Sequence, residues 1–595
     1  MTTERSTLKL PPTLVLGGVL GISSLVLYAA TGYGRGVVLL WLAALVVLSA
    51  AFWAASERLP RVATADLLAA AGLVLAFAPL YLARIYSWPV QVNSDEVAIM
   101  TYAKGYAARD GVDLFGVSDY LGHPSALLVL IGRVGELLGG VELLRMRLLH
   151  ASLGLAVIAI SYALFRQLLP RRWALFAAAV LGCSHSLLMI SRMAMRENTA
   201  VLIEVAAFAL LLRGLRHGHP LSTFLGGVVA GLGFYVYYPA RFTIVLWAAV
   251  LLGLALYSRR VLPVGRVARL GAVAATGFVL VATPIVIAEQ KAPPATVALQ
   301  RNALLIFPEA RETQRGWVFA PTVSEGIRKN VVWGLTTFNN TVVDHSWIYA
   351  NYSHGFVDPF TGALLWVGVA VVIQALVRRK DDPWPLVFLV GFALLFLSFA
   401  LLINKAPNYT RLLVTLPFVA FLVTAGVRFL AAQAGSLVTR WRPGYARGAV
   451  ASVSLGALAL IVGANLWIAW DFVQVGRERG DYIGDTGRYI EANRDVPRKM
   501  FFIATVDNEP YRYYEWGYPD VWKERLSIFA RDPSRVGEVI SPNTLSDFAA
   551  RPPFAVFMRR ELWSEARADL IARYPQGYVK DVVPDGSRVV LEVPA

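Results

Sequence analysis

Apolar runs of 17 residues or more recur along most of this chain, and that repetition limits its fold more than any other feature. A helix needs about 20 predominantly apolar residues to cross the hydrocarbon of a bilayer. Stretches near that length fall at roughly 14–30, 36–54, 65–85, 142–168, 173–190, 197–213, 221–238, 242–258, 266–288, 360–377, 384–403, 410–430 and 448–468. With 56% hydrophobic and 16% charged residues, a soluble domain of 595 residues would expose far too much apolar surface. The pattern predicts a polytopic α-helical membrane protein with about 13 transmembrane helices. The net charge of +16 then reads as basic loops touching anionic lipid rather than as a nucleic-acid surface. The single cysteine, Cys183, lies in an apolar run, so neither an internal disulfide nor a cysteine metal cluster is available. The stretch Met1 to Pro12 carries Arg5 and Lys9 but no small-residue cleavage signal, and reads as the lead-in to a retained first span.

Orientation follows from the basic loops. Arg58 and Arg61, Arg166 to Arg172, Arg213 to His219, Arg259 to Arg269, Arg378 to Lys380 and Arg428 to Arg447 all fall on one side if the spans alternate. Lysine and arginine accumulate on the cytoplasmic side, so the N-terminus is expected inside and the C-terminus outside, in a plasma membrane. Three pieces are expected outside: loop 86–141, loop 289–359 and the tail from Trp470. The apolar piece Ser125 to Leu138 is short for a span and carries Arg133 and Glu136, as a helix lying along the interface would. In the tail, Phe501–Ala504, Leu526–Phe529, Phe554–Phe557 and Val589–Glu592 read as buried strands. Gly484–Asn493 and Ser564–Tyr574 read as helices between them. The expected division is an N-terminal transmembrane hairpin (1–64), a membrane domain (65–468) and a small extracytoplasmic α/β domain (469–595).

The most informative short stretch is Val92-Asn93-Ser94-Asp95-Glu96, about ten residues beyond the third apolar span. Two acids before an amphipathic helix carrying Tyr102, Lys104 and Tyr106 most often cap that helix and meet its dipole. Topology, however, places other polar groups on the same face. Arg145, Arg147 and His150 open the fourth span, and Arg192, Arg196 and Glu197 form the next outer turn. Tyr235, Tyr237, Tyr238 and Arg241 form another, and Lys405, Asn408 and Arg411 a third. Taken singly, such arginines snorkel and such tyrosines belong to an interfacial belt. Jointly, several arginines and an acid on the face where positive charge should be scarce suit an anionic, lipid-linked substrate. Arginine forks onto phosphate while a carboxylate acts as base.

In their order and spacing these pieces resemble the GT-C glycosyltransferase superfamily, most nearly its bacterial protein O-mannosyltransferase and aminoarabinose-transferase branch. The resemblance rests on Asp95-Glu96 with Tyr102, on Arg147 followed by Gly154, on the basic turn Arg166 to Arg172, and on Arg192 with Glu197 five residues later. It covers about residues 65–260. Two spans precede the usual first one, the acid after Arg192 is Glu rather than Asp, and the tail is long. These departures bear on the acceptor more than on the reaction.

The resemblance implies a GT-C-like fold and a sugar transfer, with inversion, from a polyprenyl-phosphate donor to an acceptor hydroxyl on protein, lipid or glycan. Asp95 would be the general base with Glu96 its helper. Arg147, Arg192, Arg241 or Arg411 would hold the donor phosphate, and Glu197, Tyr102, Lys104, Tyr237 and His354 would orient the acceptor or an arginine. No cofactor is required. Some relatives use a divalent ion, but His123, His345 and His354 lack tight ligand spacing. A transporter or flippase is the competing class. It would show repeated halves and broken mid-membrane helices, and neither is visible in the sequence. A receptor-like or assembly protein would have no need of the ordered acid and arginine set.

Overall fold

The computed structural model describes residues 1–595 except 1–10, 58–61, 91, 93, 120–121, 258–261, 295, 298–302, 313–321, 339–353, 379–381, 405, 480–481, 494–498, 504–525, 527, 530–532, 541–545 and 585. The expected candidates Lys405 and His345 lie outside the described residues.

The chain begins with a helical hairpin, α1 (Pro12–Thr31) and α2 (Arg35–Ala54), then α3 (Thr64–Leu82). Two helices of the first long loop follow, α4 (Ser94–Ala108) and α5 (Ser125–Leu137). Next come α6 (Leu143–Arg166), α7 (Arg171–Cys183), α8 (His185–Ser191), α9 (Glu197–His217), α10 (Pro220–Leu232), α11 (Phe242–Tyr257) and α12 (Val264–Lys291). Beyond the second long loop lie α13 (Val323–Thr337), α14 (Pro359–Arg378), α15 (Pro385–Phe396), α16 (Leu416–Trp441) and α17 (Ala446–Arg479). Among the described residues, ten helical segments are long and apolar enough to cross a membrane, and eleven if the bent pair α7–α8 is one span. The stretches expected at 221–238 and 384–403 form shorter apolar helices, Pro220–Tyr235 and Pro385–Leu401.

The centre of the bundle is the segment Tyr409–Trp441, 83% of whose most apolar window is buried, whereas α3 and α17 sit at the edge with 11% buried. Small residues let the central helices touch. A methyl on Gly368 would run into the Leu422 carbonyl, so α14 and α16 meet backbone to backbone there. The 59° bend between α7 and α8 falls at Ser184, and Asn465 of α17 accepts the His185 amide at 2.8 Å, satisfying a donor that the break exposes. At the start of α3, Asp66 collects the Tyr162 hydroxyl at 2.8 Å, Arg166 at 3.1 Å and Arg171 at 2.8 Å. The acidic pair 95–96 lies beyond the opposite end of the same helix.

The tail contains α18 (Tyr482–Ala492), α19 (Arg560–Arg573) and a five-stranded mixed sheet of order β2-β1-β3-β5-β4. Its strands are β1 (Lys499–Ile503), β2 (Val536–Ile540), β3 (Phe554–Arg559), β4 (Tyr578–Asp581) and β5 (Arg588–Val593). β1 runs parallel to β2 and β3, and β5 antiparallel to β3 and β4. One strand expected from sequence is corrected: Leu526 is helical and Ile528–Phe529 form a turn. Leu526 and Phe529 are nonetheless buried, so the apolar run reported core contact rather than strand geometry. The strand at 536–540, broken by Gly537 and Glu538, has no comparable apolar run.

The sheet docks on the first loop. A single apolar cluster joins Val92, Val97, Ile99 and Met100 at α4, Leu127 and Ile131 of α5, and Ile490 of α18 with Met500, Val536, Ala555, Phe557 and Val590 of the sheet.

Candidate functional site

Residues 83–90 form a strap from α3 to α4. It starts with Arg84 in the left-handed region (φ 51°), whose guanidinium lies 4.9 Å from the centre of the Trp88 ring. Both acids then fall in the first turn of α4, where the helix dipole favours them. Their side chains part company there.

Glu96 points into the protein and is fully buried. Arg147 of α6, equally buried, grips it with two parallel bonds, Nε to Oε1 at 2.8 Å and Nη2 to Oε2 at 3.0 Å. Arg147 Nη1 donates to the carbonyls of Ile85 (3.2 Å), Tyr86 (3.2 Å) and Pro89 (2.8 Å). Glu96 also accepts the amide of Ala194 at 2.7 Å. Such a pair holds together only because its hydrogen-bonding capacity is filled. This corrects two expectations: Glu96 is a clamp rather than a catalytic helper, and Arg147 has no donor to offer a phosphate. Arg192 is corrected likewise. It donates to Trp88 at 3.1 Å, to Ala83 at 2.6 Å and to Leu80, all of them carbonyls. Burial, with the charge of Arg147 behind it, pushes its guanidinium down to about 10.

Asp95 faces the other way. Its Oδ2 lies 3.6 Å from Arg196 Nη2, with 14% of its side chain exposed against 6% for the arginine. The Arg196 guanidinium sits 5.3 Å from the centre of the Tyr237 ring, and the Tyr237 hydroxyl meets Thr410 at 3.4 Å. Arg411 lies 5.3 Å from the Tyr238 ring, its amide capped by Asn408 at 3.2 Å. Its Nε and Nη1 are buried without a hydrogen-bond partner among the described residues, as is Glu197 Oε2. Glu197 is within electrostatic reach of Arg196, Asp95 and Arg411. Asp95, Glu197, Tyr237 and Arg411 are therefore brought together as expected from the sequence.

Other candidates are employed elsewhere. Arg241 belongs to Glu289 of α12, in a bidentate pair at 3.1 and 2.5 Å, which corrects its expected role as a phosphate ligand. Lys104 is exposed on α4, and Tyr102 packs against the apolar cluster beneath the sheet. His354 turns to α17, with Nε2 3.1 Å from Asp471 and its ring edge-on to Trp467. Among the described residues, no group of three or more His, Cys, Asp or Glu side chains is arranged to hold a metal ion.

Two further residues, Arg196 and His123, stand near Asp95 or its arginine without a role that the sequence assigns. Arg196 directly precedes Glu197, but sequence spacing favoured Arg192. Only the turn between α8 and α9 reveals which arginine faces Asp95. In the sequence His123 reads only as a possible metal ligand. It is buried within electrostatic reach of Arg196 and Arg241, and burial with those charges holds its imidazole well below its ordinary value.

The family model described as "Dolichyl-phosphate-mannose-protein mannosyltransferase" matches residues 123–287. No curated protein matches the sequence. Among solved structures the chain is similar to ArnT from Cupriavidus metallidurans bound to undecaprenyl phosphate, with TM-score 0.49, 15% identity and coverage of 90% of this chain and 99% of that one. It is similar to the oligosaccharyltransferase AglB from Archaeoglobus fulgidus, with TM-score 0.46, 12% identity and coverage of 88% and 74%. A shorter match is to the S. cerevisiae protein O-mannosyltransferase Pmt1-Pmt2 complex, with TM-score 0.32, 18% identity and coverage of 38% and 33%. The segment matched by the family model starts at His123 and includes Arg147, Arg192, Arg196, Glu197 and Tyr237. Residues 123–287 of the chain are thus similar to the family described as dolichyl-phosphate-mannose-protein mannosyltransferase.

Proposed function

We propose that the chain transfers a sugar from a polyprenyl-phosphate-linked donor to an acceptor hydroxyl, with inversion, and that Asp95 is the general base. One observation carries the reading. Asp95 is a partly exposed carboxylate beside Arg196, and Glu197 lies within electrostatic reach of both and of Arg411.

The acceptor O–H gives its proton to Asp95 as its oxygen attacks the anomeric carbon. The bond from that carbon to the phosphate oxygen breaks on the opposite face, and its electron pair leaves with the phosphate. Arg196 and Arg411 meet the charge that develops there, and preorganised donors act strongly in a water-poor site. Buried nitrogens of Arg411 without a protein partner among the described residues fit that task. Glu197 keeps the two guanidiniums in register, and Tyr237 supplies a ring against which Arg196 lies. The prenyl tail lies among the spans, and the acceptor arrives from outside. The extracytoplasmic placement rests on the basic residues at the other end of the bundle, such as Arg166 and Arg171 around Asp66. The sugar is a hexose or pentose, and the acceptor a protein, lipid or glycan hydroxyl.

The test is transfer from a polyprenyl-phosphate sugar by the full chain in lipid nanodiscs. Asp95→Asn is expected to lower the rate by about two to four powers of ten with melting behaviour and donor binding intact. Full activity in that variant would remove Asp95 from the base role.

A further inference from the structure

The strap before Asp95 is held from two sides. From the bundle, Arg147 and Arg192 bond five of its carbonyls, and Arg192 also that of Leu80 just before it. From the tail, α18 reaches its middle and its far end. Arg488 Nη2 donates to the Val90 carbonyl at 2.8 Å, and Glu491 accepts the Tyr86 hydroxyl. The Trp88 ring meets Trp470 of α17 edge-on, with centres 5.6 Å apart. Arg488 is itself aimed by Asp485, one turn earlier, at 2.8 Å. α18 is tied to the sheet where Tyr489 donates to Glu592 of β5, which also accepts the Tyr578 hydroxyl at 2.5 Å and Lys580 at 3.1 Å. A polar path therefore runs from the sheet through α18 to the strap that precedes α4.

We infer that Arg488 is a positioning residue for Asp95, and that the C-terminal domain thereby sets the catalytic competence of the membrane part. The inference rests on the reading of Asp95 as base. The Asp95 contact with Arg196, at 3.6 Å, constrains the carboxylate less than the 2.8 Å fork constrains Glu96. Asp95 stands in the first turn of α4, so the backbone from which that helix starts helps to place it. Arg84, in a left-handed conformation that a non-glycine residue keeps only when its surroundings impose it, shows that the strap is shaped by its neighbours. Val90 lies five residues before Asp95, and Arg488 is its contact from the tail.

The experiment compares full-length Arg488→Ala, Arg488→Lys and Tyr86→Phe with Asp95→Asn in lipid nanodiscs. A displacement near 1 Å at a reacting group costs up to about a hundredfold in rate, so Arg488→Ala is expected to lower kcat about tenfold. The donor KM and melting temperature should stay unchanged. Lysine keeps one donor for the Val90 carbonyl and should recover most of the loss, and Tyr86→Phe should show a smaller fall. Amide hydrogen exchange over residues 94–108 should quicken in Arg488→Ala and not in Asp95→Asn, a readout that needs no substrate. Wild-type kcat in Arg488→Ala beside a silent Asp95→Asn would overturn the positioning role. So would a loss that tracks the unfolded fraction without rescue by lysine. If Arg488→Ala does not fold, Tyr86→Phe decides: wild-type kcat and exchange there overturn the role. If Asp95→Asn stays active, the base assignment falls, and exchange over 94–108 judges Arg488 alone, with unchanged protection counting against it.

Discussion

Asp95 and Glu96 are adjacent in sequence, share one helix turn and each meet an arginine, yet they sit in opposite environments. Glu96 and Arg147 are sealed at 2.8 Å with no exposed side-chain surface, and their remaining capacity is taken by backbone groups from two loops. Asp95 and Arg196 stand at 3.6 Å with a margin of exposure. The first pair organises backbone and has nothing left for a substrate. The second is looser and faces further charges. An ion pair filled on every side is architecture, and one left partly open beside underused donors is where chemistry can happen.

The comparison can be broken most forcefully at Arg147. Arg147→Ala leaves a buried carboxylate uncompensated and should cost about 3–5 kcal/mol, enough to prevent accumulation of folded protein. Size-exclusion profiles and melting in detergent read this directly, and a well-folded variant would mean the fork is ornamental. At Asp95 the outcome should be reversed, with the rate lost as set out above and stability kept. Arg196→Ala should lower kcat by about two to three powers of ten, as loss of one charge-stabilising donor does elsewhere, again with folding intact. If its effect falls on stability instead, the two pairs are alike after all.

A smaller effect is expected from His123. Its imidazole is held below its ordinary value of about 6.5, so the folded state favours the neutral ring and the unfolded chain takes up more protons. Its contribution to stability is therefore present above that pH and lost as the pH falls. Melting temperature should drop more steeply between pH 7.5 and 5 in the wild type than in His123→Gln, and parallel curves would assign the acid sensitivity to other groups. The smallest effect belongs to the exposed pair Arg133–Glu136, where Glu136→Gln should change neither activity nor melting measurably.

Much of this was legible in the chain. Apolar runs mark helices because lipid leaves the backbone no other partner, and every expected stretch carries one. α5, α18 and α19 were visible through composition and periodicity, as were β1, β3 and β5. Asp95, Glu197, Tyr237 and Arg411 were legible as a set because ionisable and aromatic groups at span ends are informative. What was not legible was division of labour among the arginines. Arg147, Arg192, Arg196, Arg241 and Arg411 look alike in a sequence, since each is a cation near a span end. Their roles depend on which carbonyl or carboxylate lies within hydrogen-bonding distance, and those partners come from residues tens of positions away: Ile85 for Arg147, Trp88 for Arg192, Glu289 for Arg241.

The sequence by itself determined the class of the protein, because hydropathy and charge act locally and sum along the chain. It also marked the face of the bundle on which to look. Only the tertiary structure decided that Asp95 and Glu96 part, that Arg196 rather than Arg192 meets Asp95, and that the C-terminal sheet packs on the helix bearing them. Those outcomes are set by the direction of side chains leaving a helix turn and by contacts between distant segments, and neither is written in the order of residues along one stretch.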